Sequence, residues 1–173
     1  RDFRDDAEVE NAFNDPAAHF FILRRYCIEN YLLEPQAVFE QLRLWAGDDF
    51  QITSTTEMEQ ALLTLCRRLG TMMAANWVLH EAGSEHFSEG HDLSSRESFL
   101  EETAKRLAVS VEEATTLVAA KEKLIEASLT NLNAAYARTN GKHLFHHVLA
   151  GNCTPIKPGL RKHHVRGLLT NSV

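Results

Sequence analysis

With 173 residues, 44% apolar and 24% charged, the chain has the composition of a folded domain with a full core, which excludes disordered, collagenous and low-complexity classes. Eighteen basic against 24 acidic side chains leave a net charge of −6, so any nucleic-acid contact must be local or shared with another segment. No apolar run reaches the roughly 18–20 residues that span a bilayer, and three widely spaced cysteines (Cys27, Cys66, Cys153) exclude a disulfide framework and a paired-cysteine zinc site.

Residues 1–18 are charged and interrupted by Asn14-Asp15-Pro16, and read as a loop with at most a short helical turn. His19-Phe20-Phe21-Ile22-Leu23 lies between that turn and Arg24-Arg25, as a buried strand would. From residue 28 the pattern becomes helical. Pro35 suits the first turn of a helix whose apolar positions are Val38, Phe39, Leu42 and Trp45, closed by Gly47. Ser54-x-x-Glu57 has capping-box spacing. Behind it Met58, Leu62, Leu65, Leu69, Met72 and Trp77 mark one face of a long helix that stops near Gly83. Residues 83–93 are polar and read as a loop. Ser94-x-x-Glu97 opens a helix to about Leu107, and Ser110-x-x-Glu113 opens another that runs to about Arg138. Asn140-Gly141 ends it. A shorter amphipathic stretch (Leu144, Phe145, Val148, Leu149) stops at Gly151, and Pro155 and Pro158 isolate a final segment over 160–169. The expected fold is predominantly α-helical with one or two short strands.

Three features carry chemistry. Asp2 lies beside Arg1 and Phe3, ahead of an acidic patch, where an open α/β sheet places its ligands; a solvated charge run is the alternative. Glu29 sits in the apolar run Ile28-Glu29-Asn30-Tyr31-Leu32-Leu33, where a carboxylate is costly unless it is paired, caps a helix or binds a metal. Arg24 and Arg25 are candidate partners. Lys142, after Gly141 at a helix start, is placed to face a phosphate or simply the solvent. The histidines His143, His146, His147, His163 and His164 have spacings that metal sites use, but nothing in the sequence identifies their supporting partners. The phosphate-binding G-x-x-x-x-G-K-[ST], the G-x-S-x-G elbow and H-E-x-x-H are all absent from the sequence.

Taken together, Arg1-Asp2-Phe3 resembles the second half of the D-x-D motif of Toprim nuclease domains. More specifically, the chain resembles the Toprim branch found with OLD-family and related ABC-type ATPases of bacterial anti-phage defence. There D-R-D-F is followed, after a loop and a strand, by a segment close to Cys27-Ile28-Glu29-Asn30-Tyr31-Leu32-Leu33-Glu34-Pro35, and later by a stretch similar to Gly141-Lys142-His143-Leu144. The resemblance covers 1–40 well and 139–150 faintly, and skips the helices between. It implies a truncated Toprim-like α/β core at 1–35, a helical insert or cap at 36–138, and a C-terminal helical segment at 139–173.

The resemblance also implies one or two Mg²⁺ or Mn²⁺ ions held by Asp2 and Glu29, with Lys142 stabilising the scissile phosphate of DNA or RNA. Hard divalent ions of this kind take oxygen ligands and activate water. It implies a cytoplasmic protein with an ABC-type ATPase partner and a tendency to dimerise. The family's upstream glutamate and the first Asp of D-x-D are missing, so the metal site is incomplete and the chain reads as part of a longer nuclease. The alternative is a non-enzymatic helical interaction module, in which helices over 58–80 and 111–138 form an antiparallel pair or a dimer seam. Net acidity favours this alternative; the Glu29 segment favours the nuclease.

Overall fold

The computed structural model describes residues 6–15, 25–27, 29–88 and 95–149. Every regular element among them is helical. Candidate residue Asp2, the strand expected over 19–23, Arg24, His91 and the segment beyond Gly151 lie outside the described residues.

The stretch read as a loop contains helix α1 (Asp6–Asn14), which ends where Asn14-Asp15-Pro16 predicts a break. Local propensity explains this difference, because Ala7, Glu8, Glu10 and Ala12 are good to fair helix formers despite their charge. A single turn, α2 (Glu29–Leu32), precedes α3 (Pro35–Ala46). Pro35 occupies the first turn of α3, Val38, Phe39 and Leu42 face inward, and Gly47 closes the helix at a positive φ of 54°.

The long helix expected from residue 54 to Gly83 is divided into α4 (Thr55–Arg68) and α5 (Gly70–Glu81). Gly70 marks the division, consistent with its cost of about 0.5–1 kcal/mol in a helix interior. The interruption is short, since Leu69 N–H still reaches Leu65 O (3.0 Å) and Leu69 O still accepts from Met73 N–H (2.9 Å). Ser54 caps α4 by accepting from Glu57 N–H at 3.2 Å, while the Glu57 carboxylate reaches back to Thr53 N–H at 2.7 Å. At the other end of α5, Gly83 (φ 69°) donates to His80 O and Ser84 N–H to Leu79 O. That pair of bonds is the Schellman closure for which a glycine is suited.

Helix α6 (Arg96–Leu107) is capped by Ser95, whose Oγ accepts from Ser98 N–H at 3.3 Å. The expected cap was Ser94, so the cap is displaced by one residue within a Ser-Ser pair. Helix α7 (Val111–Ser128) begins on Ser110, as its capping box requires. It does not continue to Arg138. Asn131 interrupts it by capping α8 (Leu132–Tyr136), accepting from Ala134 N–H at 3.0 Å. An 18-residue α7 is therefore about 27 Å long, at about 1.5 Å per residue. Helix α9 (Gly141–Leu149) follows.

Helix α5 is the centre of the molecule. Met72, Met73, Ala74, Ala75, Val78 and Leu79 are all buried, so it is apolar around most of its circumference, as a core helix must be. Helices α6 and α7 cover it on one side. The pairing of α5 with α7 is antiparallel: Arg67 just before α5, then Thr71, then Trp77 meet Leu129, Glu122 and Lys121 in turn. The buried Asn76 accepts from Phe87 N–H (2.7 Å), and Phe87 packs edge-on against Phe99. On the other side α3 and α8 pack on α4, and Leu33, Tyr136, Leu144 and Val148 join the same core. Residues on either side of the central helices in sequence, Leu33 and Leu144 among them, thus share one core with them.

Glu122 links the helices around α5. It accepts from Thr71 Oγ1 (2.7 Å) and from Arg96 through both carboxylate oxygens (3.1 and 2.7 Å). The Arg96 guanidinium is the main cause of its depressed pKa. A carboxylate with a depressed folded pKa stabilises the fold above its unfolded pKa of about 4.3, and this stabilisation fades as pH falls through the folded value. Glu122→Gln should cost about 1 kcal/mol at pH 7, a figure reduced by the partial exposure of Arg96. The gap from the unsubstituted chain should close toward pH 3 in urea titrations; a gap independent of pH would contradict the assignment.

Candidate functional site

The site is built on the turn that leads into α2. Tyr26 N–H donates to Tyr136 O (2.9 Å) and Asn30 N–H to Cys27 O (3.2 Å), so the 25–30 turn is anchored on α8. Arg25 donates to Asn30 O (2.7 Å) and to Asn133 Oδ1 (3.0 Å), and pairs with Glu34 at 2.7 Å. Its guanidinium also lies over the rings of Tyr31 and Tyr136. Arg25 is therefore committed to Glu34.

The next residue fixes the position of Glu29. Asn30 is fully buried, and its amide donates to Tyr136 O and Thr139 O, both at 2.7 Å. Tyr136 returns the contact by donating its hydroxyl to Leu33 O at 2.6 Å. A buried carbonyl left without a donor costs about 1–3 kcal/mol; Tyr136 O would keep Tyr26 N–H, so loss of the amide falls mainly on Thr139 O. Immediately beyond, Gly141 lies against Asn30: a Cβ on Gly141 would meet Asn30 N at 2.7 Å and come closer still to its Oδ1. Only a residue without a side chain fits.

Gly141 also connects the turn to α9. Its N–H donates to Cys27 Sγ at 3.0 Å, while Asn140 accepts from Lys142 N–H (2.9 Å) and Leu144 N–H (3.1 Å) to start the helix. The Lys142 side chain is exposed. Cys27 is hydrogen-bonded to Glu29 as well, and burial followed by the Glu29 carboxylate raises its thiol pKa. It remains a thiol, bridging the acid to the start of α9. The Glu29 oxygen Oε2 is buried and accepts no hydrogen bond. A buried carboxylate oxygen without a donor is expensive, and a bound cation or a proton relieves that cost.

The structure therefore brings Glu29 together with the Gly141–Lys142 corner. The orphan Glu29 oxygen is of the donor type that Mg²⁺ and Mn²⁺ prefer. Among the described residues no group of three or more His, Cys, Asp or Glu side chains is arranged to hold a metal. His143 and His147 are buried on the inner face of α9, and His146 is exposed. Burial, then His146 and Arg68, keep His147 below its ordinary pKa.

Comparison with family descriptions, curated proteins and solved structures finds no match.

Sequence reasoning missed Asn30, Cys27, Tyr136 and Thr139. One signal was present: Asn30 is a neutral polar residue inside an apolar run, and such a residue calls for hydrogen-bond partners; its amide nitrogen has two, while its Oδ1 accepts none. The acceptors, over a hundred residues away, had no local signature.

Two outcomes follow from this geometry. Gly141→Ala should destabilise the protein by about 1–3 kcal/mol in urea titrations, because the contact with Asn30 is overpacked; a neutral substitution would exclude the close approach. Glu29→Gln removes the charge that raises the Cys27 pKa, so Cys27 should react faster with iodoacetamide at pH 8, read by mass spectrometry of its peptide. An unchanged rate would separate Cys27 from Glu29.

Proposed function

We propose that this chain carries part of the carboxylate site of a metal-dependent Toprim-type endonuclease that cleaves nucleic-acid phosphodiesters, acting in the cytoplasm with an ABC-type ATPase in bacterial anti-phage defence. One observation carries the reading. The Glu29 segment and the Gly141-Lys142 corner, the two described stretches that resemble the nuclease family, are locked together by Asn30, Cys27 and Gly141. A chain with no use for the pairing has little reason to fill a buried corner with polar groups that need such exact partners.

In this reading Glu29 and Asp2 would hold Mg²⁺ or Mn²⁺, which would supply an activated water and neutralise charge on the leaving oxygen. The orphan Glu29 oxygen supports the role of Glu29. Asn30 and Cys27 are positioning residues: they fix the backbone that aims Glu29 and tie it to α9. Lys142, exposed at the start of α9, offers its ammonium to the substrate phosphate. The toprim-like α/β core implied by the resemblance and its remaining acid belong to the same proposal.

A second reading, a helical interaction or dimerisation module, has its own support. The inner faces of α5 and α7 are satisfied within the chain, but Leu117 and Leu124, seven residues apart on α7, are 42% and 55% exposed. Concentration-dependent light scattering tests it, with Leu117→Lys expected to shift a dimer toward monomer.

The nuclease reading is tested by plasmid nicking with the natural gene product that contains these residues, in Mg²⁺ and in Mn²⁺. Nicking should fall at least about 100-fold in Asp2→Ala and Glu29→Ala and be lost in EDTA, since each removes part of the metal site. Both variants cutting like the unsubstituted protein would overturn the site assignment.

A further inference from the structure

Three of the described glycines have a structural reason to be glycine. Gly47 and Gly83 lie at positive φ, and Gly141 is pressed against Asn30. Gly70 has neither reason: its φ is outside the left-handed region, and a Cβ there would meet nothing within 4 Å. A glycine in helical conformation is less stable than an alanine, so the bare position weakens the fold without any packing need. What it leaves open is a cavity of about 450 Å³ between the α4–α5 junction and the C-terminal half of α7. Arg67, Thr71, Glu122, Ile125, Glu126 and Leu129 complete its walls.

Those walls carry opposite charges that do not meet. Exposed Arg67 donates Nη2 to Leu129 O at 3.4 Å, a long bond that leaves its other guanidinium N–H groups for a carboxylate. Glu126, on the α7 wall, is exposed and in no ion pair among the described residues. Glu122 is already engaged by Arg96 and Thr71. Thr71 Oγ1 has given its proton to Glu122, so toward the cavity it can only accept. The buried side chains of Ile125 and Leu129 supply an apolar floor.

We propose that this cavity binds a free amino acid with an apolar side chain. Its α-carboxylate lies on Arg67, its ammonium on Glu126 and Thr71, and its side chain over Gly70 against Ile125 and Leu129. The volume falls in the range of small-molecule sites, roughly 300–1,000 Å³. An inorganic anion would satisfy Arg67 but be repelled by the two glutamates, and an uncharged apolar molecule would strip water from charges it cannot pair. A zwitterion with an apolar stem meets all three surfaces, and the guanidinium offers its carboxylate a two-point contact. The proposal is independent of the nuclease reading.

The test is amide NMR of the ¹⁵N-labelled full chain at pH 7, titrated with L-leucine to about 10 mM. The amides of Gly70, Thr71, Glu126 and Leu129 should shift saturably, with a Kd of about 1 mM or below. Leucinamide, which lacks the carboxylate, and 4-methylpentanoate, which lacks the ammonium, should each bind at least tenfold more weakly. Arg67→Gln should erase the advantage of leucine over leucinamide, and Glu126→Gln its advantage over 4-methylpentanoate. Gly70→Ala should raise Tm by about 1–4 °C, since only the cavity needs the glycine, and Gly70→Leu should fill the space and abolish the leucine shifts. No saturable shift with leucine, equal shifts with inorganic phosphate, unchanged leucine binding in Gly70→Leu, or a lowered Tm in Gly70→Ala would each overturn the proposal.

Discussion

The side-chain amide of Asn30 is the interaction on which the candidate site depends. It donates to two carbonyls of the 136–139 turn, and Gly141 closes against it without a side chain to intervene. Through these contacts a one-turn helix with almost no stability of its own becomes a fixed platform. Four residues cannot sustain a helix in water, because nucleation costs more than the single turn returns. Tertiary hydrogen bonds replace the missing length. Glu29 is held at the start of that turn, and its position is inherited from a partner more than a hundred residues away.

The rest of the fold makes this platform rigid. Helix α5, buried around most of its surface, organises α6 and α7 on one side, while α4 carries α3 and α8 on the other. Tyr136 belongs to both systems: its ring lies in the core, its backbone oxygen receives Tyr26 and Asn30, and its hydroxyl reaches Leu33. Displacing α8 would therefore disturb the core and the Glu29 turn together. Three buried oxygens of this network, Glu29 Oε2, Asn30 Oδ1 and Thr139 Oγ1, accept no hydrogen bond, and of these only the Glu29 oxygen belongs to a carboxylate.

Helix starts were the most legible part of the sequence, because a cap is local chemistry. Ser54, Ser110 and Pro35 act where their spacing predicts, and Gly47 and Gly83 end helices at positive φ. Interruptions within apolar periodicity were harder to see. Leu69 and Leu129 keep the hydrophobic rhythm across each break, so Gly70 and Asn131 were masked by the pattern around them. Of the site, Glu29 was visible as an acid in apolar company and Lys142 as a basic residue after glycine. Their proximity was not visible, since it depends on long-range contacts of Asn30 and Gly141 that no sequence spacing encodes.

A titration with Mn²⁺ followed by amide NMR tests the central claim most directly, because paramagnetic broadening reports distance from the ion residue by residue. The account predicts that the amides of Cys27, Glu29, Asn30, Gly141 and Lys142 broaden first and together, and that Glu29→Gln removes the effect while leaving the fold intact. Broadening confined to other acidic surfaces, with those five amides unchanged, would contradict it.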